Sequence, residues 1–293
     1  MDNIMSGLEK FGLSTTDDMF NDMFEEGKKK TVDENGEKVP EELPTEKDFL
    51  LKKGVRCHMC DKTFMTLQVK NGRVKRLDSD DDLRPRYQYI DTLKYSLISC
   101  PYCGYTARTA TADTMTSVQR KLLQENVCAK FKPAKGPEDL PESYTYDEAL
   151  ERFSLCLFNA VAKKDKISEK AYICLNIAWL LRGKAEELAA NAETPKEEVE
   201  KVKAEEAKYY SQAYDGLYKA MQTESFPMCG MDEATISILL AEMSFKLGKV
   251  ENAGRLVSSV LTSPAANQRM KTKALNLKEK IINEMKKKKA AGK

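Results

Sequence analysis

Two short turns constrain this chain more than anything else in it: Cys57-His58-Met59-Cys60 and Cys100-Pro101-Tyr102-Cys103. A Cys-x-x-Cys turn sets two sulfurs on the same side of a tight loop, and zinc prefers four soft or borderline ligands in a tetrahedron. One pair supplies half a site; two pairs complete it. The 39 residues between Cys60 and Cys100 exceed the usual interval of about 15 to 20, and an inserted hairpin with an acidic loop accounts for the excess. Gly104 follows the second pair and lets that turn take a positive φ, with backbone amides aimed at sulfur. Asp61 holds the same place after the first pair and tolerates the conformation less well. The expectation is one structural Zn²⁺ on Cys57, Cys60, Cys100 and Cys103, with no coordination position left open for catalysis.

A second chemistry stays open at this point. Cys-Pro-Tyr-Cys is also the active-site tetrad of glutaredoxins, where it ends a strand and opens a helix that lowers the thiol pKa. Here Gly104 follows at once, the rest of that fold is missing, and another Cys-x-x-Cys lies upstream, so thiol redox is the less favoured reading. The other cysteines, Cys128, Cys156, Cys174 and Cys229, stand alone and read as small core hydrophobes. That usage fits a reducing, cytoplasmic setting. His58 is the only histidine, and it lies between two ligands of one turn. A Ser-His-Asp triad and a histidine-based hydrolytic metal site are therefore excluded, and there is no glycine-rich phosphate loop. The chain is expected not to be an enzyme, and no small-molecule substrate is evident.

With 293 residues, about two cores are expected. Four segments are read. Residues 1–49 form an acidic, largely disordered arm, because 27–46 hold almost nothing apolar to offset the entropy of ordering. Within the arm, Ile4, Met5, Leu8 and Phe11, then Met19, Phe20, Met23 and Phe24, recur at helical spacing and suit docking in cis or on a partner. Residues 50–113 form the four-cysteine, zinc-ribbon-like module, with strands at 63–67 and 72–77 joined through Asn71-Gly72 and a third at 95–99. Residues 114–144 are a helix, capped by Asp113 or Thr111, and a proline-rich linker. Residues 145–293 are a helical domain with a basic C-terminal tail: helices are expected from Tyr146 to Val161 and over 171–181, 196–222, 232–247 and 250–261, with a final one striped by Leu277, Ile281 and Met285. No run reaches the length of a membrane span, and the first residues lack a secretory signal.

Charge is segregated. Residues 1–50 carry 6 basic and 14 acidic side chains, whereas 269–293 carry 10 basic and 2 acidic. Residues 51–113 hold 12 basic and 7 acidic groups; among them Arg73, Lys75, Arg76, Arg84 and Arg86 lie near Tyr87, Tyr89 and Tyr95, a composition suited to phosphate contact and base stacking. Asp78, Asp80, Asp81 and Asp82 read as a solvated loop without the glycine and glutamate of an EF-hand.

The helical domain carries a trace of repetition. Ala149/Phe153/Cys156, Ala213/Leu217/Ala220 and Ala253/Val257/Val260 share one spacing of small and apolar residues, resembling the second helix of a tetratricopeptide repeat, where small residues allow close helix approach. The middle unit carries an insertion, and an ordinary helical bundle is the alternative. Tyr210, Tyr214 and Tyr218 share one helix face and are candidates to line a partner groove; packing against a neighbouring helix is the competing reading.

The stretch Arg56-Cys57, Cys60-Asp61-Lys62-Thr63-Phe64, then Asp78-Ser79-Asp80, Tyr87, Tyr95 and Cys100 to Ala107 resembles the bacterial domain-of-unknown-function family numbered 2225, over roughly residues 50–260. Thr106 departs from the family's Cys-Pro-x-Cys-Gly-Tyr-Ala block. The resemblance implies a bacterial cytosolic protein, a cysteine module before tetratricopeptide-like helices, and no assigned activity. The expected fold is α+β: a small zinc-stabilised β module followed by an all-α tetratricopeptide-like array. The expected role is a zinc-binding, non-enzymatic scaffold for a protein partner, with nucleic-acid association as the alternative.

Overall fold

The computed structural model describes residues 43–133 and 139–291. The amphipathic pieces of the acidic arm and the end of the lysine tail lie outside the described residues.

Among the described residues, strands come as three antiparallel pairs: β1 (Leu50–Arg56) with β2 (Thr63–Val69), β3 (Arg76–Leu77) with β4 (Arg86–Tyr87), and β5 (Leu97–Ser99) with β6 (Thr106–Arg108). The expected hairpin of 63–67 with 72–77 does not form. Gly72 does take its positive φ of 78°, but β2 is paired by β1, in register from Leu50 opposite Val69 to Arg56 opposite Thr63. Most of β1, Leu51 to Gly54 and Arg56, is exposed, so its sequence lacks the alternation that marks a half-buried strand. The cysteine turn itself closes this hairpin.

Seven α-helices follow among the described residues: α1 (Ser117–Leu123), α2 (Tyr146–Ala162), α3 (Ile167–Ala190), α4 (Lys196–Thr223), α5 (Glu233–Lys246), α6 (Val250–Thr262) and α7 (Gln268–Ala291). The fold is α+β. Three helix starts are built into the sequence. Thr116 with Gln119 and Thr145 with Glu148 form reciprocal capping boxes at α1 and α2, and Asp232 accepts from the Thr235 amide at α5. Such caps contribute about 1 kcal/mol each. Thr116 caps α1 in place of Asp113 or Thr111 because only it has the reciprocating glutamine three positions on. After Leu123 the helix widens into a π turn, Gln124–Cys128, which brings Val127 and Cys128 against the cysteines.

Short connections at 163–166, 191–195, 224–232, 247–249 and 263–267 fold consecutive helices back on one another. α3 is buried from Ile173 to Leu181, and α5 from Ile236 to Ser244, so both are central helices wrapped on all sides. All nine residues of the repeated pattern are 2% exposed or less, on α2, α4 and α6. Close helix approach explains the small ones: a Cβ on Gly216 of α4 would lie 2.6 Å from the Ala171 Cβ of α3.

The cysteine segment shares its core with the helices. Leu93 and Leu97 enter the main helical core. Tyr95 stacks on Tyr144 at 5.4 Å and its hydroxyl accepts the Tyr144 amide, just before α2. Residues from Thr45 onward form one compact unit.

Candidate metal centre

The two cysteine turns are built alike. In the first, the Cys57 amide donates to Lys62 O at 2.9 Å and the Asp61 amide to Cys57 O at 3.0 Å. In the second, the Cys100 amide donates to Tyr105 O at 2.9 Å and the Gly104 amide to Cys100 O at 3.1 Å. The last position of each turn is left-handed, with φ of 62° at Asp61 and 71° at Gly104. Asp61 is held there by Arg56, whose Nε donates to its carboxylate at 3.1 Å. Gly104 has a further constraint, because a Cβ at this position would strike the Phe131 ring.

Each turn caps a hairpin, β1–β2 or β5–β6, and the two meet through their sulfurs. The four Sγ atoms lie within 4.8 Å of one another. Two separations across the turns are short: Cys57 to Cys103 is 3.6 Å and Cys60 to Cys100 is 3.7 Å. A tetrahedron with metal–sulfur bonds of about 2.3 Å has sulfur–sulfur edges of about 3.8 Å, whereas a disulfide needs about 2.05 Å. All four are free thiols. Cys57, Cys100 and Cys103 are buried and Cys60 half-buried. Hydrogen bonds from Cys100 and Cys103 favour the Cys57 thiolate and push its pKa down to about 2, while bonding to Cys100 and Cys57 raises that of Cys103. Four sulfurs this close cannot all ionise without a compensating cation. The set could hold a metal ion, and the chemistry of its donors suits a soft or borderline one.

Neighbouring elements fix the turns. Lys62 Nζ lies 4.8 Å over the Tyr102 ring, joining one turn to the other, and the Met59 amide points at Cys57 Sγ at 3.3 Å. Asn159 of α2, fully buried, donates to Gly104 O at 3.0 Å and accepts from the Thr106 amide at 3.3 Å. Thr106 hydrogen-bonds Ser99, its cross-strand partner, at 2.8 Å. Asn159 was invisible in the sequence, where it looks like one polar residue on a helix.

The other candidate residues are dispersed. Tyr210 and Tyr214 are each only 2% exposed. Tyr214 accepts from Ser244 Oγ at 3.2 Å and stacks on Tyr218 at 5.7 Å. Lys246 Nζ lies 4.5 Å over Tyr210, and Lys249 Nζ 4.0 Å over Tyr214. Of the five basic residues, Arg73, Lys75 and Arg76 are exposed. Arg84 is 2% exposed and pairs with Asp91 at 3.0 Å and Glu186 at 3.3 Å. Arg86 pairs with Asp80 at 2.7 Å and Glu186 at 2.6 Å.

The aspartate run is only in part the solvated loop its composition suggests: Asp78 and Asp81 are exposed, whereas Asp80 is half-buried and Asp82 buried. Asp82 is 5% exposed and receives Arg182 of α3 at 2.7 Å, which also bonds Asp80 at 3.2 Å and Glu206 of α4 at 2.9 Å. Lys280 of α7 reaches Asp81 at 2.7 Å. This network rivets the 78–91 loop onto three helices. Gly183 admits Arg84, since a Cβ there would lie 2.6 Å from its Nη2. One signal pointed to the network: Arg182-Gly183 directly follows the uncharged run from Ala171 to Leu181.

A family model described as "Uncharacterized protein conserved in bacteria (DUF2225)" matches residues 50–284. The chain belongs to this family. The DUF2225 match takes in both cysteine turns, the riveted loop and nearly all of the helical region. No curated protein and no solved structure matches the chain. Among the described residues, no helix is long and apolar enough to cross a membrane.

Proposed function

We propose that this protein is a non-catalytic scaffold whose β hairpins are stapled by one zinc ion on Cys57, Cys60, Cys100 and Cys103, and whose helical region binds a protein partner. The convergence of the four sulfurs within 4.8 Å, with two cross-turn separations near a tetrahedral edge, carries the reading. Four protein ligands complete a zinc coordination sphere, so the ion serves the fold. Thiols kept free for a metal suit a reducing, cytoplasmic setting. Two sulfur contacts join different turns, at 3.6 and 3.7 Å, which suits one shared metal better than a dithiol worked within one Cys-x-x-Cys. For the partner, Phe158 and Val161 stand one turn apart on α2 with 54% and 56% of their surface exposed, apolar area that a protein interface would cover.

Elemental analysis of the purified protein tests the metal: about one zinc per chain is expected, and metal-free protein with oxidised thiols overturns it. Affinity capture with wild type and F158E/V161E tests the surface. Loss of partners in the variant supports it; identical capture overturns it. The second reading, nucleic-acid association, draws on exposed Arg73, Lys75 and Arg76 alone, since Arg84 and Arg86 are engaged internally. A salt-sensitive gel shift that disappears when those three are neutralised would favour it.

A further inference from the structure

A cavity of about 620 Å³ opens between the aspartate loop and helices α3, α4, α5 and α7. Its size suits a small organic molecule. The cations lining it already have partners: Arg182 is held by Asp80, Asp82 and Glu206, Lys246 by Glu206 at 3.1 Å, and Lys280 by Asp81. Two polar groups facing it do not. Glu242 of α5 is 8% exposed and among the described residues makes no hydrogen bond or ion pair, and the Tyr210 hydroxyl of α4, on a residue 2% exposed, faces Asp82 without a well-formed hydrogen bond and keeps its oxygen lone pairs free among the described residues.

A carboxyl group this far buried, with no protein partner, is costly to ionise, and it faces the cavity, where an arriving donor can displace water and bond it. Since every lining cation is engaged, the missing group is a positively charged donor. A bare metal ion lacks a ligand set here: among the described residues, only the four cysteines bring three or more metal-ligating groups together. We propose that this cavity binds a small aliphatic ammonium compound, its N–H groups donating to the Glu242 carboxylate and to the Tyr210 hydroxyl oxygen.

Burial pushes the Glu242 pKa up to about 7, so ammonium binding would expel its proton. The charged and titratable groups around it are Asp80, Asp81 and Asp82 of the loop, Arg182 of α3, Glu206 and Tyr210 of α4, Lys246 of α5, and Lys273 and Lys280 of α7. Burial holds Tyr210 protonated through neutral pH, which leaves Glu242 as the group exchanging the proton.

Calorimetric titration of the full chain with putrescine tests this. Saturable binding is expected, tightening from about pH 6 to about pH 8. E242Q and Y210F, with circular dichroism and zinc content unchanged, should each weaken it about tenfold or more, and E242Q should abolish the pH dependence. Absence of saturable binding up to about 10 mM putrescine, wild-type affinity in E242Q, or equal competition by magnesium chloride at matched ionic strength overturns the proposal.

Discussion

The cysteine cluster and the arginine–aspartate network both fasten the 50–113 segment, but by opposite electrostatics. The cluster gathers four groups of one kind, which cannot all be ionised together without an added cation. The network gathers opposite charges in direct contact: Arg84, Arg86 and Arg182 against Asp80, Asp82, Asp91, Glu186 and Glu206, with Lys246 also on Glu206. The first joins two hairpins that resemble each other; the second joins a loop to helices α3 and α4 about 100 residues along the chain. One should therefore respond to chelators and oxidants, and the other to single charge deletions.

The comparison breaks most decisively at the cysteines. C57S or C103S, or a strong chelator, should cost several kcal/mol, since structural zinc sites carry much of the folding free energy of small modules. Loss of near-ultraviolet dichroism and collapse of amide protection over 50–110 would be the readout; an unchanged melting curve would show that no metal stabilises the hairpins. D82A is next. It strips Arg182 of its closest carboxylate and should cost about 3 kcal/mol without altering zinc content. G104A should cost about 2 kcal/mol, because alanine is strained at positive φ and its Cβ meets Phe131.

A smaller effect comes from Glu242. Its folded-state pKa of about 7 stands above the ordinary 4.5, so the folded protein binds the proton more tightly than the unfolded chain. Its stabilising contribution is full below about pH 4.5 and is lost as pH rises through about pH 7, amounting to about 3 kcal/mol. Denaturant titration across that window should show the loss in wild type and not in E242Q.

Much of the helical region was legible residue by residue. The expected helix from Tyr146 to Val161 is Tyr146–Ala162, 196–222 is Lys196–Thr223, and 250–261 is Val250–Thr262. Apolar periodicity and caps such as Thr145 are local, so short stretches suffice to read them. The metal candidates were legible for the same reason, because two Cys-x-x-Cys turns declare their shape within four residues each. β1 was missed because an exposed strand carries no apolar alternation; its partner is chosen by closure of the Cys57 turn. Arg84 and Arg86 were grouped with Arg73, Lys75 and Arg76 because proximity in sequence says nothing about which charges are buried.

Amino-acid order by itself determined the helices, the two cysteine turns and the small residues that let α2, α4 and α6 pack closely, all set by contacts within a few positions. Only the tertiary structure decided that the sulfurs pair across turns, that Asn159 grips the second turn, and that Asp82 lies buried against Arg182. Those outcomes join groups tens of residues apart. The burial that gives each its energy does not exist until the chain has folded.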